Sequence, residues 1–288
     1  MHAAPFEYHR PTNLQEAIAL LGELGDEAML IAGGHSLVPL LRMRFAQPQH
    51  LIDIRRIASI GRFREEREAL IVGAVVTHTA IERSALVRAK MPILAEVAGL
   101  IGEPGVRNMG TIGGNLAHAD PASDWPAVTL ALGADVALAG AQGERRVAAG
   151  AFSRGLLATA LEPTEMITSI RFPVPPPRTG SAYAKHPLPA SRFALCGVAA
   201  LITLDEAGLI SRARIAITGL GQTTARATTA EAALLNQRPE AATIERASAH
   251  APDGLDLIAD ANGSRAWKAQ LARVYTRRAV ARALERVP

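Results

Sequence analysis

The chain has 288 residues and a mass of 30.4 kDa, with 31 Lys and Arg against 27 Asp and Glu, 49% hydrophobic residues and 4% aromatic ones. That length allows two or three domains with cores of their own, and the balance of apolar to charged residues excludes a disordered chain. A single cysteine, Cys196, excludes an internal disulfide framework and any iron–sulfur cluster or thiolate zinc site built from this chain alone.

The first residues, His2 to Pro11, put charges and prolines where a secretory signal has its apolar core, so a cytoplasmic protein is expected. Thr12-Asn13-Leu14-Gln15 has the form of a capping box, and Leu14, Ala17, Ile18 and Leu21 recur at helical spacing, which predicts an amphipathic helix ending near Gly22 to Gly25. Ala28 to Ala32 is a short apolar run bounded by glycines, the pattern of a buried strand. After Gly33-Gly34-His35-Ser36 a short helix is predicted from Leu37 to Arg44, then a strand from Leu51 to Ile54. Strand, glycine turn, helix, strand is an α/β unit.

A further strand is predicted from Ala69 to Val76, a helix from Thr77 through Leu86, and another from Pro92 through Leu100. Pro104 to Pro126 is rich in glycine and small polar residues and reads as a long irregular loop, which in a compact domain serves function. The longest apolar run, 127–141, contains Asp135 and two glycines and falls short of the ~20 residues of a bilayer span, so no membrane helix is predicted. The proline run Pro173-Val174-Pro175-Pro176-Pro177 is a stiff connector and marks a domain boundary. Beyond it, strands are predicted from Cys196 to Leu204 and from Ala213 to Leu220, and a helix from Thr229 to Leu235. In a final helix Trp267, Leu271 and Val274 should pack inward behind a basic face. The cations are concentrated here: residues 176–288 carry 15 basic and 9 acidic side chains, residues 1–175 carry 16 and 18. No stacking aromatics interleave that basic face, so nucleic acid is not expected as a partner, while an acidic protein remains open.

Two Gly-Gly segments suggest a binding site. Without Cβ atoms, backbone N–H groups approach an anion closely, and Ala32-Gly33-Gly34-His35-Ser36 and Thr111-Ile112-Gly113-Gly114-Asn115 together could hold a diphosphate from opposite sides. Neither segment has the spacing of the dinucleotide fingerprint or of the P-loop. Asp124 either accepts hydrogen bonds from a ligand's hydroxyls or caps the helix that begins at Trp125-Pro126. Ser36 lacks the second glycine of a nucleophile elbow, His118 and Asp120 are too few for a metal, and Cys196 lies in an apolar run, so no catalytic side chain and no metal site are assigned.

The segments Ala32-Gly33-Gly34-His35-Ser36-Leu37 and Thr111-Ile112-Gly113-Gly114-Asn115-Leu116-Ala117-His118-Ala119-Asp120-Pro121 resemble the paired FAD motifs of the flavin subunits of molybdenum hydroxylases, the family of the carbon monoxide dehydrogenase medium chain. Ala213 to Gly221 and Glu231 to Leu234 resemble that family's C-terminal domain. The resemblance implies an α+β protein with α/β lobes: an FAD-binding domain of the vanillyl-alcohol-oxidase (PCMH) type with lobes at 1–60 and 61–176, and a smaller C-terminal domain at 177–288. It implies that Leu30, Ile31, Ala32, Gly33, Gly34, His35, Ser36 and Leu37, with Thr111, Ile112, Gly113, Gly114 and Asn115, hold the diphosphate and ribityl chain. His118 and Asp124 would contact the polar part of the cofactor, Ile101 and Ile167 would supply apolar contacts, and Lys185 would stand near the pyrimidine edge of the flavin.

A large molybdopterin subunit and a small [2Fe–2S] subunit are the implied partners, in a dimer of heterotrimers, with electrons passing from cluster to FAD to an external acceptor. Ser123 and Thr224 depart from the family's usual Gly and Pro, without removing a phosphate donor. The alternatives are a standalone FAD oxidoreductase and a structural subunit without flavin. The substrate and the acceptor are not legible.

Overall fold

The computed structural model describes residues 2–288, which form three successive layers, each built on its own sheet. The first contains β1 (Glu7–His9), α1 (Leu14–Leu24), β2 (Ala28–Ile31), α2 (Leu37–Met43) and β3 (His50–Asp53), with the strands parallel in the order β1-β3-β2. The N-terminus of α1 forms one residue later than the Thr12/Gln15 spacing predicts. Asn13 is the cap, its Oδ1 accepting from Glu16 N at 2.9 Å, while Glu16 reaches back to the N–H of Thr12 at 2.9 Å. Ala17 and Leu21 of α1 bury against Ile52, Ile54 and Ile57. β2 is only half-buried, because one side of it opens onto a cavity.

The second layer runs through β4 (Phe63–Glu66), β5 (Ala69–Gly73) and six helices: α3 (His78–Arg83), α4 (Ala85–Lys90), α5 (Pro92–Leu100), α6 (Pro104–Met109), α7 (Ile112–His118) and α8 (Trp125–Leu132). The helix predicted from Thr77 through Leu86 is broken in two at Ser84, whose hydroxyl caps α4 by accepting from Val87 N at 3.3 Å. The stretch read as irregular between Pro104 and Pro126 is largely helical. Pro104 occupies the first turn of α6 and Thr111 caps α7, so Gly105, Gly113 and Gly114 sit inside helices and Gly110 joins the two. The layer continues with β6 (Asp135–Gly140), β7 (Gly143–Ala148), α9 (Ala149–Phe152), the small hairpin of β8 (Ser153–Gly155) and β9 (Ala158–Thr159), and β10 (Glu165–Pro173). Its antiparallel sheet has the order β4-β5-β10-β6-β7, and Leu70, Val72, Ile170 and Phe172 pack beneath α5 and α8.

After the proline run, β11 (Thr179–Pro187), β12 (Ala194–Leu204), β13 (Ile210–Thr218) and β14 (Ala225–Arg226) form an antiparallel meander. α8 packs on it, as do α10 (Thr228–Leu234) and α12 (Arg265–Leu284), while α11 (Ala241–Ala249) packs against α10 and α12. Gly180 lets α12 come close: a Cβ there would lie 1.9 Å from the carbonyl oxygen of Ala283. Trp267 does not pack inward but is 47% exposed, and Lys268 is the buried residue, paired with Asp260 at 2.7 Å. Part of the basic face is also engaged within the chain. Arg282 and Arg286 both grip Glu96 of α5, the latter at 2.7 Å, and so fasten the last helix to the second layer.

Candidate cofactor site

A cavity of about 520 Å³ lies between the first two layers and is closed at one side by the loop Ser191 to Phe193 of the third. Its first wall is the turn from β2 into α2. Gly34 has φ +74°, and none of the backbone N–H groups of Gly33, Gly34, His35, Ser36 and Leu37 has an acceptor among the described residues. The Ser36 hydroxyl makes no capping bond either, so α2 begins with its donors unused. A row of unused N–H groups at a glycine turn lining a cavity is suited to an anion. Gly33 is required for a second reason: a Cβ there would lie 2.3 Å from Met109 O and 2.7 Å from the Gly110 Cα, so the first glycine segment meets the backbone just before the second.

The second segment works differently from the sequence expectation. Gly114 N donates to Thr111 Oγ1 at 3.1 Å, Gly113 N to Ala74 O at 2.9 Å, Ile112 N to Val76 O at 3.1 Å and Asn115 N to Thr111 O at 3.0 Å. These four donors are occupied, so the free backbone donors come from the first turn, and α7 presents side chains instead. Asn115 Oδ1 is buried without a partner on the cavity, and so is Ser123 Oγ. A buried polar atom left unpaired costs about 1–3 kcal/mol, so two of them in one cavity wall mark where a ligand's own polar groups belong.

Sixteen of the eighteen residues singled out in the sequence line this cavity: Leu30 to Leu37, Ile101, Thr111, Gly113, Gly114, Asn115, His118, Asp124 and Ile167. Ile112 and Lys185 do not. Ile112 is fully buried in the core of the second layer. Lys185 stands behind Asp124, its Nζ 2.7 Å from Asp124 Oδ2 and 3.1 Å from Leu100 O, with the Lys185 and Asp124 side chains 4% and 5% exposed. Asp124 is not a cap. Its backbone is helical, it makes no capping bond, and its other oxygen accepts from the Tyr183 hydroxyl at 2.6 Å. Burial pushes the Asp124 carboxyl up and Lys185 opposes that push; burial also raises the Tyr183 phenol far above its usual range. The positive charge of Lys185 therefore reaches the cavity only through Asp124.

The third layer also fixes the adjoining loop. The Thr218 hydroxyl donates to Pro121 O at 2.7 Å, Gly219 N to Pro121 O at 2.9 Å, and Ala194 N to Ala122 O at 3.0 Å.

Three further contributors, His78, Arg192 and Phe193, were not singled out from the sequence. His78, 2% exposed at the start of α3, lines the cavity beside Gly110; its Nδ1 accepts from Trp125 Nε1 at 3.2 Å, and burial lowers its pKa to about 3, so the ring is neutral. One histidine after Thr77 carries no spacing signal, and only the pairing of Thr77 with Thr111 brings it to the second segment. Arg192 and Phe193 frame the rim, with Arg192 held by Glu103 at 3.1 Å. The cavity thus offers a row of unused N–H groups, unpaired polar atoms and apolar walls at Ile101, Leu161 and Ile167, the set that holds an extended cofactor.

Residues 4–175 match the family described as the FAD binding domain in molybdopterin dehydrogenase, and residues 181–283 match the CO dehydrogenase flavoprotein C-terminal domain. The chain is 39% identical to the carbon monoxide dehydrogenase medium chain of Afipia carboxidovorans, over 98% of this chain and 97% of that one. It is 36% identical to subunit alpha of the 6-hydroxypseudooxynicotine dehydrogenase complex of Paenarthrobacter nicotinovorans, over 99% and 97%. Among solved structures, carbon monoxide dehydrogenase from Hydrogenophaga pseudoflava superimposes with a TM-score of 0.95 at 40% identity, covering 100% of both chains.

Proposed function

The chain belongs to the family of FAD-binding subunits of molybdopterin dehydrogenases, and on that premise we propose that its cavity holds FAD and that it serves as the electron-transfer subunit of a molybdenum hydroxylase. The observation that carries the reading is the row of unpaired N–H groups from Gly33 to Leu37 facing the same cavity as the unpaired Asn115 and Ser123 atoms. When bound, FAD supplies reversible one- and two-electron redox chemistry, and the protein's part is to bind, orient and tune it.

In this reading the turn Gly33 to Leu37 binds the diphosphate, and Thr111, Gly113, Gly114, Asn115 and His118 shape the opposite wall. Ile101 and Ile167 pack against the flat apolar part. Asp124, held in place by Tyr183 and Lys185, accepts from hydroxyls of the polar chain, and Ile112 and Lys185 act from behind the wall. Residues 1–60 and 61–176 form the two flavin lobes and 177–288 the third domain. No side chain of this chain acts as a general acid or base.

The partners are a large subunit with the molybdenum cofactor and a small subunit with [2Fe–2S] clusters, which the single, buried Cys196 could not ligate here. We extend this to a dimer of heterotrimers in the cytoplasm that passes its electrons to an external acceptor. No helix among the described residues is long and apolar enough to cross a membrane.

The test is the visible spectrum of the purified chain after incubation with FAD and desalting, with chromatography of the released cofactor. Stoichiometric FAD is expected. A folded chain that retains none, either alone or copurified with its two partners, would overturn the assignment.

A further inference from the structure

Away from the cavity, at the opposite edge of the first sheet, we propose that Glu7, His9 and His50 form a binding site for a zinc-class divalent cation. β1 and β3 are parallel neighbours with Glu7 opposite His50. Strand periodicity puts Glu7 and His9 on one face of β1, and the register brings His50 to that same face. His9 Nε2 and His50 Nδ1 are 3.1 Å apart, His50 Nδ1 and Glu7 Oε2 are 3.5 Å apart, and the three ligand atoms lie within 4.8 Å of one another.

A tetrahedral ion bonded at 2.0–2.1 Å separates its ligands by about 3.3–3.4 Å, and the two measured separations bracket that figure. Two imidazoles and one carboxylate suit zinc and neighbouring transition metals, whereas magnesium and calcium require oxygen donors. Three protein ligands leave a fourth position for water. The two histidines are 15% exposed (His50) and partly buried (His9), so their rings are held in place, while the exposed Glu7 carboxylate is free to close onto the ion. The ion would clip the three-residue edge strand β1 to β3. His50 lies more than 40 residues from Glu7 and His9 and meets them only through strand register, so no sequence spacing reveals the set.

The test is calorimetric titration of the chelator-stripped full-length chain with Zn²⁺ alone, in buffer containing excess Mg²⁺. One equivalent is expected to bind, with His9→Asn and His50→Asn each weakening it by more than the roughly 10- to 100-fold that loss of an outer-shell partner costs. Glu7→Gln should weaken it less, and His250→Ala, at an exposed histidine elsewhere, should leave it unchanged. X-ray absorption of the wild-type zinc complex reads the site without any variant, and should give imidazole scattering with Zn–N near 2.0–2.1 Å. Absence of a stoichiometric site, binding indifferent to both histidine variants when circular dichroism shows them folded, or a zinc spectrum without imidazole would each overturn the proposal.

Discussion

The indole N–H of Trp125 donates to Nδ1 of His78 at 3.2 Å, and an acceptor at Nδ1 places the neutral ring's proton on Nε2, beside Gly110 in the cavity wall. Trp125→Phe removes that donor inside the core of the second layer and should cost about 1–3 kcal/mol, plus the packing lost with the smaller ring. Measured by denaturant unfolding, Trp125→Phe and His78→Leu combined should cost less than the sum of the two, because they remove one shared interaction.

Acid should destabilise the protein earlier than surface carboxylates alone would predict. Burial, with His35 and Arg107 nearby, lowers the His78 pKa from 6.5 to about 3. The unfolded chain takes up this proton first, so the contribution of His78 is complete above pH 6.5 and is lost as pH falls towards 3. Unfolding free energy should drop by up to ~1.4 kcal/mol per pH unit across that window, and His78→Leu should flatten the slope. Asp53 adds a second loss at lower pH. Burial alone would raise its carboxyl, but hydrogen bonds from Arg55 and Tyr8 outweigh burial and hold it at about 2, so its contribution is lost between pH 3.8 and 2.

Gly33→Ala should disturb both stability and flavin retention, since its Cβ would meet the backbone at Met109 and Gly110 rather than a flexible side chain. Overpacking of this kind costs about 1–3 kcal/mol. Gly105→Ala, in α6 with open space around the new methyl group, is the matched control and should be neutral or slightly stabilising in thermal melts.

Lys185→Met leaves the Asp124 carboxylate buried without its cation and should cost about 3–5 kcal/mol. Adding Asp124→Asn should recover most of that loss in chemical denaturation. Full additivity of the two substitutions would show that the ion pair is not what the third layer contributes at this point.

Asn115→Ala separates binding from folding. Its buried Oδ1 has no partner, so losing it should leave the unliganded chain as stable as the parent or more stable, by up to about 1–3 kcal/mol. Flavin affinity, followed by fluorescence quenching, should fall about 5- to 30-fold, the worth of one hydrogen bond of 1–2 kcal/mol.

Local chemistry was legible where it acts over a few residues. The two Gly-Gly segments and the strand before the first one follow from glycine's freedom and a short apolar run. What depends on register was not. The helical character of Pro104 to Pro126 was hidden because glycine and proline read as breakers, while Pro104 at a first turn and Thr111 as a cap make them compatible with short helices. The long strand β10 escaped notice because Thr168 and Ser169 interrupt its apolar pattern at the point where its register against β6 shifts. Lys185 was placed near the flavin by the family resemblance, and only the fold shows its ammonium committed to Asp124 and Leu100.

The stitching of Pro121 and Ala122 to Ala194, Thr218 and Gly219 bears on how the chain can be engineered. A minimal flavin carrier cannot be excised by cutting at the proline run, even though the run is an exposed and tempting place to cut. The shortened product would keep both glycine segments but lose the scaffold behind Ser123 and Asp124, and with it a fixed wall for the cofactor.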